Sequence, residues 1–196
     1  MCSLFYINEA ILEKLKIFGT EIESGAENVC LGSDIRPTER ALLLKWNGKG
    51  ICLSGVKWGY PGIQKSGVLI NARAESVLEK KIFADGIQYH RAVIPASHFY
   101  EWNQRKEKNI FESQDGEILY LAGIFDIIEN EERFVILTTE ANASMKPVHD
   151  RMPLILRQDQ IEDWLRDEKA AESMLCQIPK ELKRQADYEQ MTLFPM

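Results

Sequence analysis

The sequence predicts a single α+β domain with a curved, largely antiparallel, barrel-like β-sheet core flanked by helices. Short apolar runs of strand character recur between turn signals along most of the chain, and few segments show helical spacing. Strands and helices do not alternate regularly, which argues against a doubly wound sheet. A length of 196 residues, with 45% hydrophobic and 28% charged residues, suits one globular core, taken as residues 1–196.

Residues 8–18 place Ile11, Leu12, Leu15 and Phe18 at helical spacing, with Asn8 as the cap. Residues 20–37 read as the longest loop. Strand-like runs follow at 41–46, 50–58, 66–70, 91–95, 118–128 and 133–139, punctuated by Asn47-Gly48 and Asp85-Gly86. Residues 72–82 read as a helix. A stronger helix covers 158–167, with Ile161, Trp164 and Leu165 on one face. From about 180 to 196 the chain is polar and reads as a loose tail.

Composition narrows the function classes. No run approaches the ~18 apolar residues of a membrane span, and the N-terminus carries Glu9 and no basic start, unlike a secretory signal. Cys2, Cys30, Cys52 and Cys176 are widely spaced, so reduced thiols and a cytoplasmic, monomeric protein are expected. A net charge of −6 argues against coating nucleic acid by bulk electrostatics, but a few placed arginines can still bind phosphates.

Four places carry candidate chemistry. If Met1 is removed, Cys2 presents an α-amine and a thiol on adjacent carbons, with ordinary pKa values of ~8 and ~8.5. Such a 1,2-aminothiol condenses with an aldehyde to an imine and then closes a five-membered thiazolidine. The alternative is that Cys2 is an accident of the start site. Asn71-Ala72-Arg73-Ala74-Glu75 follows an apolar run and offers an amide and a guanidinium, or else a helix cap and a structural ion pair. Glu101 lies between Tyr100 and Trp102, where desolvation suits a general acid or base, although a surface position between packed aromatics is equally compatible. His149 sits in a turn-rich segment with Arg151 two residues on, and lone loop histidines are commonly bland. His90, His98 and His149 lack metal-ligand spacing, so neither metal nor cofactor is expected.

Taken together, Cys2, Trp58-Gly59, the Asn71–Glu75 motif, Ile94-Pro95-Ala96 with Phe99-Tyr100-Glu101-Trp102, Ala122-Gly123-Ile124-Phe125, Thr138-Thr139 and His149-Asp150-Arg151-Met152-Pro153 resemble the SOS response-associated peptidase (SRAP) family of abasic-site processing proteins. The resemblance implies one α+β domain with a groove for single-stranded DNA containing abasic sites. It implies that Cys2 forms a thiazolidine with the ring-opened abasic sugar, with Asn71, Glu101 and His149 as further catalytic residues. Arg73, Thr138 and Arg151 correspond to DNA-backbone contacts, and Pro37 to a proline near the cysteine. Trp58, Tyr60 and Trp102 are candidates to stack on bases or wall the pocket, and equally candidates for the core.

Departures from the family pattern fall on the DNA side. Ser3-Leu4 follow Cys2 in place of Gly-Arg, the segment after Trp58-Gly59 is short and lacks a second tryptophan, and Ala84-Asp85 replace a basic residue. Three functions compete: covalent capture of abasic sites with strand-cleaving lyase activity on the side, an N-terminal-cysteine peptidase, and a non-covalent module for single-stranded DNA or a protein partner.

Overall fold

The computed structural model describes residues 2–18, 21–23, 25–62 and 67–186. Its centre is a closed five-stranded barrel. The strands β4 (Arg40–Trp46), β5 (Ile51–Trp58), β9 (Arg91–Ala96), β12 (Leu119–Ile128) and β13 (Glu131–Glu140) run in the order β13-β12-β9-β4-β5 with antiparallel neighbours. Five strands of alternating direction cannot close with antiparallel pairs all round. The closing contact is accordingly parallel, through Arg133↔Lys57 and Phe134↔Trp58. Closure removes the exposed edges that an open sheet would leave.

Turn chemistry sets the hairpins. Between β12 and β13, Glu129 and Asn130 have φ values of 52° and 63°, the two left-handed positions that match the twist of a tight hairpin. Between β4 and β5, Asn47 accepts the Lys49 and Gly50 amides on its Oδ1, and Gly48 takes φ 90°.

Short strands decorate the barrel: β2 (Glu21–Ile22) on β5, β14 (Arg151–Pro153) on β13, and β15 (Ile155–Leu156) on β12. The strand β8 (Asn71–Arg73) joins β13 in parallel. A two-stranded piece pairs β6 (Tyr60–Pro61) with β7 (Val68–Leu69). A second sheet has the order β16 (Leu182–Ala186), β11 (Lys108–Ser113), β10 (His98–Trp102), β1 (Phe5–Ile7) and β3 (Ser33–Ile35). Only Ser97 separates β9 from β10, so the two sheets share one continuous chain. Fully buried Phe5, Phe99 and Phe111 join them, with Phe5 5.1 Å from the Trp58 ring.

Helices cover the barrel. The helix α1 (Ile11–Leu15) buries Ile11 and Leu15, and α2 (Lys81–Tyr89) buries Phe83 and Ile87. On α3 (Ile161–Arg166), the Trp164 indole donates to Ala92 O at 3.0 Å, while Arg91 Nε donates back to Trp164 O. Asp167 caps α4 (Glu168–Leu175) by accepting from the Ala170 amide.

Five sequence expectations need correction. Residues 72–82 are not a helix: Asn71–Arg73 is a strand, Ala74–Ser76 a 3₁₀ turn, and the α-helix starts at Lys81. Gly86, read as a turn signal, lies inside α2, where an added Cβ would meet Ile124 Cδ1 at 3.0 Å; the glycine permits close helix–barrel approach. The cap of α1 is Ala10 and not Asn8, whose backbone N–H donates to Ser97 Oγ. The segment 20–37 holds β2, a 3₁₀ turn and β3, and the tail expected from about 180 is ordered at Leu182–Ala186 by pairing with β11. Residues 187–196 lie outside the described residues.

Gly55 shows how tightly the barrel is built. A Cβ there would lie 1.8 Å from Gly25 O, a backbone atom with no freedom to swing away. Gly55→Ala is expected to destabilise the fold by about 1–3 kcal/mol through overpacking, read as a lower urea midpoint with an unchanged slope.

Candidate active site

The site is assembled around β13. On one side, β8 lies parallel to it with Asn71 opposite Ile136, and Asn71 Nδ2 donates to Cys2 O at 2.9 Å. A strand end thus fixes the backbone of the second residue in the chain. Asn71 Oδ1 is buried and takes no hydrogen bond among the described residues. On the other side, β14 starts at Arg151, opposite Glu140, and His149 precedes it by two residues.

Cys2 is 1% exposed. Burial, then the nearby Glu101 carboxylate, pushes its thiol up to about 12, so it is a neutral S–H at physiological pH. Tyr100 N donates to Leu4 O at 3.0 Å and Phe5 pairs with Phe99, a register that runs the first residues of the chain alongside Glu101 and Trp102. Glu101 is 5% exposed, and its Oε1 accepts from the Trp102 amide at 3.2 Å. The desolvated position expected for this carboxylate is the one observed. On β3, Ile35 pairs with Phe5, and Pro37, two residues on, is half-buried in the turn that follows.

His149 and Trp102 line an open cleft of about 910 Å³, with Arg105 and Lys146 also on its walls. The ring nitrogen His149 Nδ1 accepts from the Arg151 amide at 2.9 Å and lies 2.8 Å from Asp150 Oδ1. These contacts require different protonation. The amide contact needs an unprotonated Nδ1, whereas the carboxylate contact needs Nδ1–H.

Three expected DNA contacts turn inward. The Arg151 guanidinium, 9% exposed, makes two parallel bonds to Glu75 (2.7 and 2.8 Å) and one to Thr138 O at 2.6 Å. Thr138 is fully buried, with its hydroxyl 3.4 Å from Ala72 O. Trp58 is 0% exposed; its ring lies 6.0 Å from that of Phe134 and its indole N–H is bound by Ile70 O, so base stacking by this side chain is corrected to core packing. Of the remaining expected contacts, Arg73 is exposed and Trp102 half-buried. Arg105 and Lys146 escaped the sequence reading; the polar, basic run between β10 and β11 was the available signal for the first. Among the described residues, no group of three or more His, Cys, Asp or Glu is placed to hold a metal.

Hydrogen bonds from Arg151 hold the Glu75 carboxyl below its usual range. A depressed folded pKa gives stability that is present above the unfolded value of ~4.3 and lost as pH falls through the folded one. Glu75→Gln is therefore expected to lower the thermal midpoint at neutral pH, with the deficit closing in acid below the ordinary glutamate range. A deficit that stays constant down to pH 2 would contradict the assignment.

Comparison with known proteins identifies the relatives of the chain. The chain is 31% identical over 146 residues to the abasic site processing protein YoaM of Bacillus subtilis, a stretch of 67% of this chain and 64% of that protein. It is 31% identical over 143 residues to the abasic site processing protein YedK of Escherichia coli, covering 69% and 64%. The matched stretch thus spans a little under two thirds of these relatives. In fold, it superposes on a crystal structure of a protein from Bacteroides thetaiotaomicron with a TM-score of 0.79, at 20% identity over 94% of this chain and 91% of that one. A protein from Bordetella bronchiseptica gives a TM-score of 0.76 at 20% identity over 94% and 99%. The family profile described as SOS response associated peptidase (SRAP) matches residues 1–195, and the chain belongs to that family.

Proposed function

We propose that this protein captures abasic sites in single-stranded DNA covalently through Cys2, as part of a DNA-damage response. The supporting observation is the Asn71 amide on the Cys2 carbonyl, which fixes the backbone of Cys2, whose thiol feels the buried Glu101 carboxylate. Relatives named abasic site processing proteins point to the same substrate class.

In this reading Met1 is absent and the Cys2 amine is free. His149 donates a proton to the sugar ring oxygen as the closed abasic deoxyribose opens to its aldehyde. The amine adds to the aldehyde carbon, and Glu101 relays the protons that let the carbinolamine expel water. The thiol then adds across the C=N bond: a C–S bond forms and the S–H proton ends on nitrogen. The sum is protein plus aldehyde giving thiazolidine plus one water. The buried Asn71 Oδ1 is an acceptor suited to the Cys2 amine or a sugar hydroxyl. Arg73, Arg105 and Lys146 are the side chains offered to phosphates. Lyase cleavage of the strand would proceed from the same imine.

The state of the thiol favours this order over a peptidase. A cysteine peptidase attacks as the thiolate, and burial together with Glu101 raises the pKa of this thiol, which runs against that form. In thiazolidine closure the amine attacks first, so no standing thiolate is needed.

The test is incubation of Met1-processed protein with single-stranded DNA carrying one abasic site, read by denaturing gel and intact mass. The wild type is expected to give an adduct stable to denaturation. Cys2→Ser gives none that survives, while non-covalent retention of the DNA persists. Absence of any adduct from wild-type protein with a confirmed free amine sinks covalent capture and leaves a binder or a peptidase.

A further inference from the structure

Residues 141–150, between β13 and β14, line the cleft through Lys146, His149 and their neighbours. The rest of the lining comes from Trp102 and the hairpin that joins β10 to β11 on the second sheet. The cleft therefore lies between two parts of the fold, and its width depends on what ties them. The buried side chain of Asn142 is such a tie. Its Oδ1 accepts from Ser144 N at 3.1 Å, Ser144 Oγ at 2.7 Å and Met145 N at 3.3 Å. Its Nδ2 donates to Pro179 O and to Lys180 O, each at 3.0 Å. Two carbonyls can be met only by the NH₂ group, so the partners settle which way the amide faces. Ser144 Oγ adds a further link by accepting from the amide of Leu182, the first residue of β16, at 3.0 Å.

We propose that Asn142 is a positioning residue that sets the width of the cleft, by tying the wall that carries His149 to the sheet that carries Glu101. On the sheet side, β16 runs on to Ala186 opposite Asn109, and Asn109 lies opposite Glu101. On the wall side, Asn142 starts the turn that leads to His149. Met145 N and Lys146 N donate to Asn142 O at 3.2 and 2.9 Å, and Val148 N and His149 N donate to Met145 O at 2.9 and 3.1 Å. The buried Met145 side chain plugs this turn from below. A displacement of the Asn142 amide is thus passed along the main chain to His149. Capture draws on groups from both sides of the cleft, so an error in its width is paid in rate; a misplacement of about 1 Å can cost on the order of 10²-fold. Asparagine combines the acceptor that caps the turn with the donors that hold the 179–182 segment. Aspartate keeps the first and loses the second, turning a carboxylate oxygen towards two carbonyls.

The kinetic part of this inference rests on the proposed abasic-site capture; the tie itself does not. The experiment compares wild type, Asn142→Asp and Ser144→Ala, well below their thermal midpoints. Amide hydrogen exchange is read in the DNA-free protein, and single-turnover adduct formation is followed with Met1-processed protein in excess over an abasic single strand. In Asn142→Asp the amides of Met145, Lys146, Val148 and His149 are expected to exchange at least roughly tenfold faster, with the β12–β13 ladder unchanged. The rate constant at saturating protein is expected to fall roughly tenfold or more, with the half-saturating concentration moved less than about threefold and the final yield unchanged. Loss of stability alone would instead lower the yield and leave the saturating rate as it was. Ser144→Ala removes the Leu182 link and is expected to change exchange and rate in the same direction by less, so it carries the test if Asn142→Asp does not fold. Unchanged exchange at 145–149 in a folded variant overturns the inference. So does faster exchange with an unchanged saturating rate. If wild type forms no adduct at all, the functional reading fails, while the exchange comparison still decides whether Asn142 holds the wall.

Discussion

The pairing of β13 is the constraint on which the rest depends. This strand contacts β12 and β14 antiparallel, and β5 and β8 in parallel, so it closes the barrel and holds both arms of the candidate site. The parallel closing contact follows from parity, because an odd number of alternating strands must meet once in the same direction. β8 brings Asn71 to Cys2, and β14 brings Arg151 to its place behind His149. Asn71 and Cys2, 69 positions apart in sequence, thereby meet through a hydrogen bond, while His149 lines the cleft beside Trp102. Sites supported in this way keep their geometry well.

Much of the charge of the chain is committed to the scaffold. Arg40, Lys57 and Arg133 all pair with Glu131, and Lys45 reaches Glu132 at 2.9 Å. The Arg151–Glu75 pair belongs to the same class of internal contact, better sited than a surface pair because its guanidinium is almost buried. Removing either partner would leave a poorly solvated charge. The overall charge of −6 is therefore a weak guide to where an anionic ligand would lie.

The sequence was legible where periodicity and turn chemistry act locally. The long barrel strands and α3 fall close to where apolar runs and Asn-Gly signals put them. It was illegible where tertiary contact overrides local pattern. Asn71–Arg73 has the composition of a helix start but gains a ladder on β13, and Gly86 reads as a turn but serves close packing on Ile124. In the site, Glu101 is buried, as its place between two aromatics suggested, and Asn71 contacts the Cys2 carbonyl. The inward turn of Arg151 and Thr138 was not readable, since a motif records which residues occur together and not which way they face, whereas the core position of Trp58 was one of its two readings. Arg105 and Lys146 carried no motif at all and emerge only from the shape of the cleft.

The claim at the centre of this account is that chemistry starts at the free α-amine of Cys2 and not at its thiol. The most direct measurement compares two preparations of otherwise identical protein, one with Met1 removed and one with Met1 retained, each incubated with an abasic single strand and weighed intact. The account predicts that only the processed form gains the mass of the DNA less one water. An equal yield of adduct from the Met1-retained form would contradict it, because there the amine is an amide and only the thiol can react.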